Sequence, residues 1–164
     1  MKRLLLLVSM LTMFCASVAT AQNNDMLALV KSKNFRFTAS TINSSLVQSD
    51  PRFALLMEGK YKLEVDGEWL DCLLPFVGRV YRQGMNDKQI EVFAEKCKYE
   101  YNLIKRRKTT EIEVKISAPS RDGSDRFNFT LRIGEKGDAT LSVISNNRES
   151  VSYTGKVESL KLYR

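Results

Sequence analysis

Apolar and polar residues alternate through most of the chain after residue 22, and this period-2 pattern constrains the fold more than any other feature. Phe35, Phe37 and Ala39 alternate with polar residues near the start of the pattern, and Val151 and Tyr153 do so near its end. Because successive side chains of a β-strand point to opposite faces of a sheet, each such segment predicts a strand with one buried face.

Short alternating segments recur at regular intervals, with turn-forming residues such as Asp66-Gly67 between them, which is typical of an antiparallel meander. The segments lie at residues 35–39, 61–65, 69–74, 90–94, 99–103, 112–118, 127–133, 139–143 and 151–157. About nine strands do not fit one flat open sheet. The sequence therefore predicts an all-β fold, in which the meander curls into a lipocalin-like barrel or splits into a β-sandwich.

Helix is expected only in the first part of the chain. Residues 25–33 predict a short amphipathic helix with its apolar side chains on one side. Asp50-Pro51 is typical of a helix start and Gly59 of a helix end, so a second short helix is expected between them. An extended strand that runs into Tyr61 is the alternative.

Residues 1–21 have the three parts of a cleavable secretory signal peptide. A positively charged start precedes an apolar run over residues 4–14, which is shorter than the roughly 20 residues of a membrane-spanning helix. Small residues then precede the expected cut between Ala21 and Gln22. We therefore expect a periplasmic or secreted protein whose single β-rich domain spans residues 22–164.

The cysteines bear on how an exported chain is anchored and cross-linked. A lipid on Cys15 would anchor the protein, but the bulky Phe14 precedes it where lipidation needs a small residue, so a lipoprotein is the less favoured alternative. Cys72 and Cys97 fall on the apolar sides of their predicted strands. In an oxidising compartment they form either one disulfide or two buried thiols, and the sequence leaves both open.

The composition excludes several kinds of catalytic site. The chain contains no His, the usual base at neutral pH, so Ser-His-Asp and Cys-His systems are excluded. The ligands that usually hold zinc are missing, and there is neither a Gly-rich phosphate loop nor a Gly-x-Ser-x-Gly turn. We therefore expect no cofactor and no metal.

A hydrolase that uses two carboxylates is the remaining catalytic alternative. The candidates are Asp66, Glu68 and Asp71 around the first hairpin, and Glu91 with Glu95. Each falls at a polar position of the strand pattern, where no apolar pocket shifts its pKa. The pattern therefore favours a protein that is not an enzyme.

Four residues within and just after the third predicted strand segment are candidates for ligand binding. Trp69, Phe76, Arg79 and Tyr81 lie around the irregular backbone that begins at Pro75. They form either a ligand mouth, apolar with one fixed charge, or a packed corner of the core in which the arginine stacks on a ring.

A run of basic residues is the densest cluster of charge in a chain whose net charge is +7. Lys105, Arg106, Arg107 and Lys108 either contact an anionic glycan, lipopolysaccharide or phospholipid head group, or form a solvated hairpin tip. Arg148, in a predicted hairpin turn, is a further candidate for contact with a partner. Nucleic acid is not expected as a partner of an exported protein.

Three segments resemble those of a known exported family. Residues 74–81 resemble its "LPYFGRAY" segment, residues 137–143 its "GYATLTV" segment and residues 146–155 its "NNRQSISYSG" segment. The family is called domain of unknown function 4251 and is common in Bacteroides-like Gram-negative bacteria. The resemblance covers most of residues 26–160 and departs from the family pattern around residues 50–60. It implies a β-rich fold in the Gram-negative envelope, and the family brings no assigned activity or site residues.

The sequence thus favours a non-catalytic binding or interaction module of the envelope. Its partner is expected to be a small apolar ligand, an anionic glycan or an envelope protein. The alternatives are a structural or inhibitory partner of another envelope protein and a carboxylate-only hydrolase. An enclosed apolar cavity would favour a small ligand, whereas a filled interior would favour surface contacts.

Overall fold

The computed structural model describes residues 25–43, 60–81, 91–105 and 111–160. The predicted signal peptide with Cys15, and the helix or strand expected over residues 50–59, lie outside these residues. Among the described residues, helix α1 at residues 25–31 is the one helix, as the amphipathic pattern predicts. No helix in this part of the chain is long and apolar enough to cross a membrane.

The strands form one antiparallel sheet. They are β1 (Asn34–Asn43), β2 (Lys62–Asp66), β3 (Trp69–Pro75), β4 (Glu91–Cys97), β5 (Glu100–Lys105), β6 (Ile112–Pro119), β7 (Arg126–Ile133), β8 (Asp138–Ile144) and β9 (Val151–Ser159). Their order across the sheet is β4-β3-β2-β1-β9-β8-β7-β6-β5. The predicted all-β fold is confirmed, and the meander takes the curled arrangement, because this one sheet bends into a half-barrel.

The alternating side chains fill the concave side of the half-barrel. Phe35 and Phe37 of β1, Phe127 and Phe129 of β7 and Tyr153 of β9 are all buried. Their polar neighbours along each strand face outward. Burial of each large apolar side chain contributes about 1.5–3 kcal/mol, so the core rests on the period-2 pattern itself.

The edge strands β4 and β5 lie at opposite ends of the sheet order although they are consecutive in the chain. β4 pairs with β3 and β5 pairs with β6, so this stretch of chain leaves one side of the half-barrel and joins the other. Core-facing residues have even numbers in β4, at Val92 and Ala94, and odd numbers in β5, at Tyr101 and Leu103. When the core-facing residues change from even to odd numbers along a stretch of strand, an irregularity must lie between its two halves. We call this a change of parity.

A β-bulge at Lys96 produces this change. The pairing of β4 with β3 shifts register between Leu70 and Cys72. Lys96 has a φ of 39°, in the left-handed region that residues other than glycine rarely adopt. Its backbone N–H donates a 2.8 Å hydrogen bond to the carboxylate of Asp71. The extra residue returns the next side chain, Cys97, to the concave side of the sheet.

Helix α1 covers the end of the half-barrel that holds the turn between β2 and β3. Val30 is fully buried, and its carbonyl oxygen accepts a 2.8 Å hydrogen bond from the hydroxyl of Tyr101. Lys33 follows the helix with a φ of 53° and ends it in the left-handed conformation typical of a C-cap. The carbonyl of Lys33 accepts a 2.8 Å hydrogen bond from Gly67 in the turn, which fastens α1 to the sheet.

The bulge predicts opposite changes in the free energy of unfolding for substitutions at Lys96 and at Asp71. Lys96→Gly removes the strain of a side chain at positive φ and is expected to raise the free energy of unfolding by up to about 1 kcal/mol. Asp71→Ala removes the acceptor of the Lys96 N–H and is expected to lower it by about 1 kcal/mol. Urea denaturation followed by circular dichroism measures both. Asp71→Asn keeps an acceptor oxygen and serves as the control, so equal losses from Asn and Ala would contradict the assignment.

Candidate functional site

Two of the segments that carry the family resemblance meet at the end of the half-barrel opposite α1. Segment 76–81 follows β3 and segment 145–150 precedes β9. Val80 and Arg148 form an isolated antiparallel β-bridge between them, and two further backbone hydrogen bonds of 2.8 Å flank this bridge. The backbone pairing fixes the two segments against each other and places Arg148 over the end of the core.

Arg148 is 6% exposed and lies over two aromatic rings. Its guanidinium carbon is 5.3 Å from the ring centre of Phe76 and 5.4 Å from that of Phe127. Its Nη1 donates a 2.8 Å hydrogen bond to the carbonyl of Glu91, and its Nε lies 3.5 Å from a carboxylate oxygen of Asp125. A planar guanidinium can stack on rings while its edge bonds to acceptors. We call Arg148, Asp125, Phe76 and Phe127 the arginine cluster.

The carboxylate of Asp125 is buried together with its charge partner Arg148 and is surrounded by donors. One oxygen accepts hydrogen bonds from the backbone N–H of Arg126 at 2.8 Å and from the side-chain amide of Asn147 at 3.2 Å. The other accepts a 2.7 Å bond from the hydroxyl of Ser145. A buried ion pair is tolerated when further hydrogen bonds satisfy both groups. The arrangement therefore holds segments of the fold together and does not present a charge to solvent.

Arg148 of the arginine cluster and Arg121, from the turn after β6, together cover part of the free edge of β4. An edge strand presents unpaired backbone groups that invite other chains to pair with it. The Glu91 carbonyl is bound by Arg148, and the Phe93 carbonyl accepts a 3.0 Å hydrogen bond from the backbone N–H of Arg121. The Arg121 guanidinium lies 5.0 Å from the Phe93 ring centre, and its Nε lies 3.2 Å from a Glu95 carboxylate oxygen. These contacts close the seam between β4 and β6.

Comparison with known proteins agrees with the resemblance in these segments. The family model described as domain of unknown function (DUF4251) matches residues 18–157. The chain belongs to the DUF4251 family. Its structure is similar to the crystal structure of a DUF4251 family protein from Bacteroides eggerthii DSM 20697, with a TM-score of 0.58 and 11% sequence identity over 85% of this chain and 88% of that one. At that identity the likeness concerns the fold alone, and no curated protein matches the chain.

The four candidate binding residues of this DUF4251 protein do not form one site. Phe76 is buried in the arginine cluster, and Arg79 and Tyr81 are exposed beside it. Trp69 lies at the other end of β3, next to the β2–β3 turn. The arginine that lies among aromatic rings is Arg148, which is too buried for the partner contact considered for it, whereas Arg79 is exposed. A binding role for Trp69, Arg79 or Tyr81 stays a prediction.

Sequence reasoning missed the pairing of Arg148 with Asp125. The two residues lie in different turns, and no spacing in the sequence links them. Residues 120–125 are rich in Ser, Asp and Gly, and residues 145–150 are rich in Ser and Asn, which indicates solvated loops. The one signal was the position of each residue beside an aromatic core strand, and it is too weak to identify a buried pair.

The basic cluster falls at the limit of the described residues. Lys105 ends β5, and Arg106, Arg107 and Lys108 lie outside the described part of the chain. A contact between this cluster and an anionic partner therefore stays a prediction.

The candidate carboxylates are dispersed over the structure. Four of them are exposed: Asp66, Glu68, Glu91 and Glu95. Asp71 holds the bulge at Lys96. The buried acidic residues of the described part are Glu113, which pairs with Arg132, and Asp125. Glu113 and Asp125 lie at opposite ends of the β6–β7 hairpin, roughly 20 Å apart along the strand, whereas a glycosidase pair lies within about 10 Å. No group of three or more metal-ligating side chains forms among the described residues.

Cys72 and Cys97 are free thiols on neighbouring strands. Cys72 lies opposite Ala94 and Cys97 lies opposite Leu70, so the cysteines are diagonal neighbours. Diagonal neighbours usually stand farther apart than the roughly 4 Å between the Cβ atoms of a disulfide. Burial raises the pKa of both thiols, and the nearby charge of Asp71 raises it further.

The thiols are expected to react in a fixed order with iodoacetamide at pH 8. Because only the thiolate is nucleophilic and burial disfavours it, Cys97 should alkylate slowly and Cys72 not at all until the protein unfolds. Mass spectrometry before and after addition of urea measures both reactions, and Cys97→Ser isolates Cys72. A disulfide would instead give a native mass lower by two hydrogens and no alkylation without a reductant, which would contradict this order.

Removal of the guanidinium is expected to destabilise the fold strongly. Arg148→Ala leaves the Asp125 carboxylate buried without its charge partner, so the free energy of unfolding should fall by about 3 kcal/mol. Arg148→Lys should recover only part of this loss, because an ammonium does not stack over two rings. The exposed Arg79→Ala is the matched control and should change stability by less than about 0.5 kcal/mol. Chemical denaturation that gives similar losses at positions 79 and 148 would refute the structural role of the cluster.

Proposed function

We propose that this DUF4251 protein is an exported, non-catalytic module that binds an envelope protein through its outer surface. The observation that carries the proposal is the burial of large side chains on the concave side of the half-barrel. Large side chains such as Phe35, Phe37, Phe129 and Tyr153 occupy the space in which a ligand-binding barrel would hold a small molecule. Helix α1 covers one end of this interior, and the arginine cluster covers the other.

Two concavities formed by the described residues lie on the outer face of the sheet. One, of about 530 Å³, is lined by Asn102 and Asn128, and another, of about 580 Å³, by Thr140 and Thr154. Both are open grooves, whereas pockets for small molecules enclose most of the ligand. Of the partners considered from the sequence, a small apolar ligand therefore has the least support.

Apolar side chains on the outer face of β3 and β4 support a protein partner. Trp69 is 47% exposed, and Leu73 and Phe93 are half-buried opposite each other on the face that points away from the core. Arg121 stacks over Phe93 and keeps an exposed side chain. Trp and Arg are enriched among the residues that contribute most to protein interfaces. We call Trp69, Leu73 and Phe93 the outer patch.

The outer patch gives the test of the proposal. A photo-crosslinking amino acid at position 69, introduced in the organism that makes the protein, is expected to give one discrete crosslinked protein. The same amino acid at Thr140, on the outer face of β8, is the matched control and should give none. Phe93→Ala and Leu73→Ser in the chain labelled at position 69 should weaken the product, because they remove apolar side chains from the same outer face of β3 and β4.

Equal crosslinking from both positions would contradict a specific surface contact. A thermal-shift screen of residues 22–164 with fatty acids, bile salts and neutral glycans tests the alternative, that the domain binds a small ligand. A ligand that binds the folded domain raises its melting temperature with ligand concentration. Such a rise for a fatty acid, unchanged by Trp69→Ala, would overturn the proposal in favour of a small-ligand carrier.

Export is the second part of the proposal, and it rests on residues 1–21. The full chain, expressed in a Gram-negative host, is expected to be recovered from the periplasm with Gln22 as its first residue. Intact mass and N-terminal sequencing measure this. Cys15→Ser is expected to leave both results unchanged. A mature chain that begins at Cys15 and carries the added mass of acyl groups would identify a lipoprotein instead.

A further inference from the structure

We draw no further inference here: the strongest candidate, the outer patch of Trp69, Leu73 and Phe93 on β3 and β4, belongs to the surface already proposed for partner binding, and nothing in the described part of the structure shows what covers it.

Discussion

The half-barrel depends on the bulge at Lys96. Without the extra residue, the core-facing parity of β4 would continue through residue 105, and the side chains of Tyr101 and Leu103 would point to solvent. With it, one stretch of chain keeps its apolar side inward while it leaves β3 and joins β6. The carboxylate of Asp71, on the neighbouring strand, binds the N–H of Lys96 and fixes the place where the parity changes. The continuity of the core from β4 to β5 follows from this irregularity.

Once the sheet is bent, its two ends still expose the core, and the chain covers them by different means. At one end, the short helix α1 inserts Val30 and is held by a tyrosine hydroxyl and a turn N–H. At the other end, the charged side chain of Arg148 covers the core, where an apolar side chain would be expected. The Arg148 guanidinium lies over the rings of Phe76 and Phe127 and pairs with Asp125, so a charged group completes this end of the core at a cost in desolvation.

Much of the fold was predictable because burial repeats every second residue along each strand. The alternation located the strands, and the amphipathic pattern of residues 25–33 located the first helix. The pairing partner of each strand was harder to predict from the sequence, because strands such as β1 and β9 pair although they lie far apart in the chain. The arginine cluster was not predictable, because charge and turn composition indicate exposure unless a distant partner is known. The sequence predicted that Arg79 lies among aromatic rings. In the structure the arginine with that environment is Arg148.

The segments in which the sequence resembles the DUF4251 family have a structural role in this fold. Residues 74–81 and 146–155 contribute Phe76, Arg148 and the backbone bridge that cover one end of the half-barrel. Within them a Cβ at Gly78 would lie 2.9 Å from the Phe76 ring, so packing restricts that position as well. These segments therefore describe how the domain closes. A search for function is better directed at outward-facing side chains such as Trp69, which the fold does not require for its core.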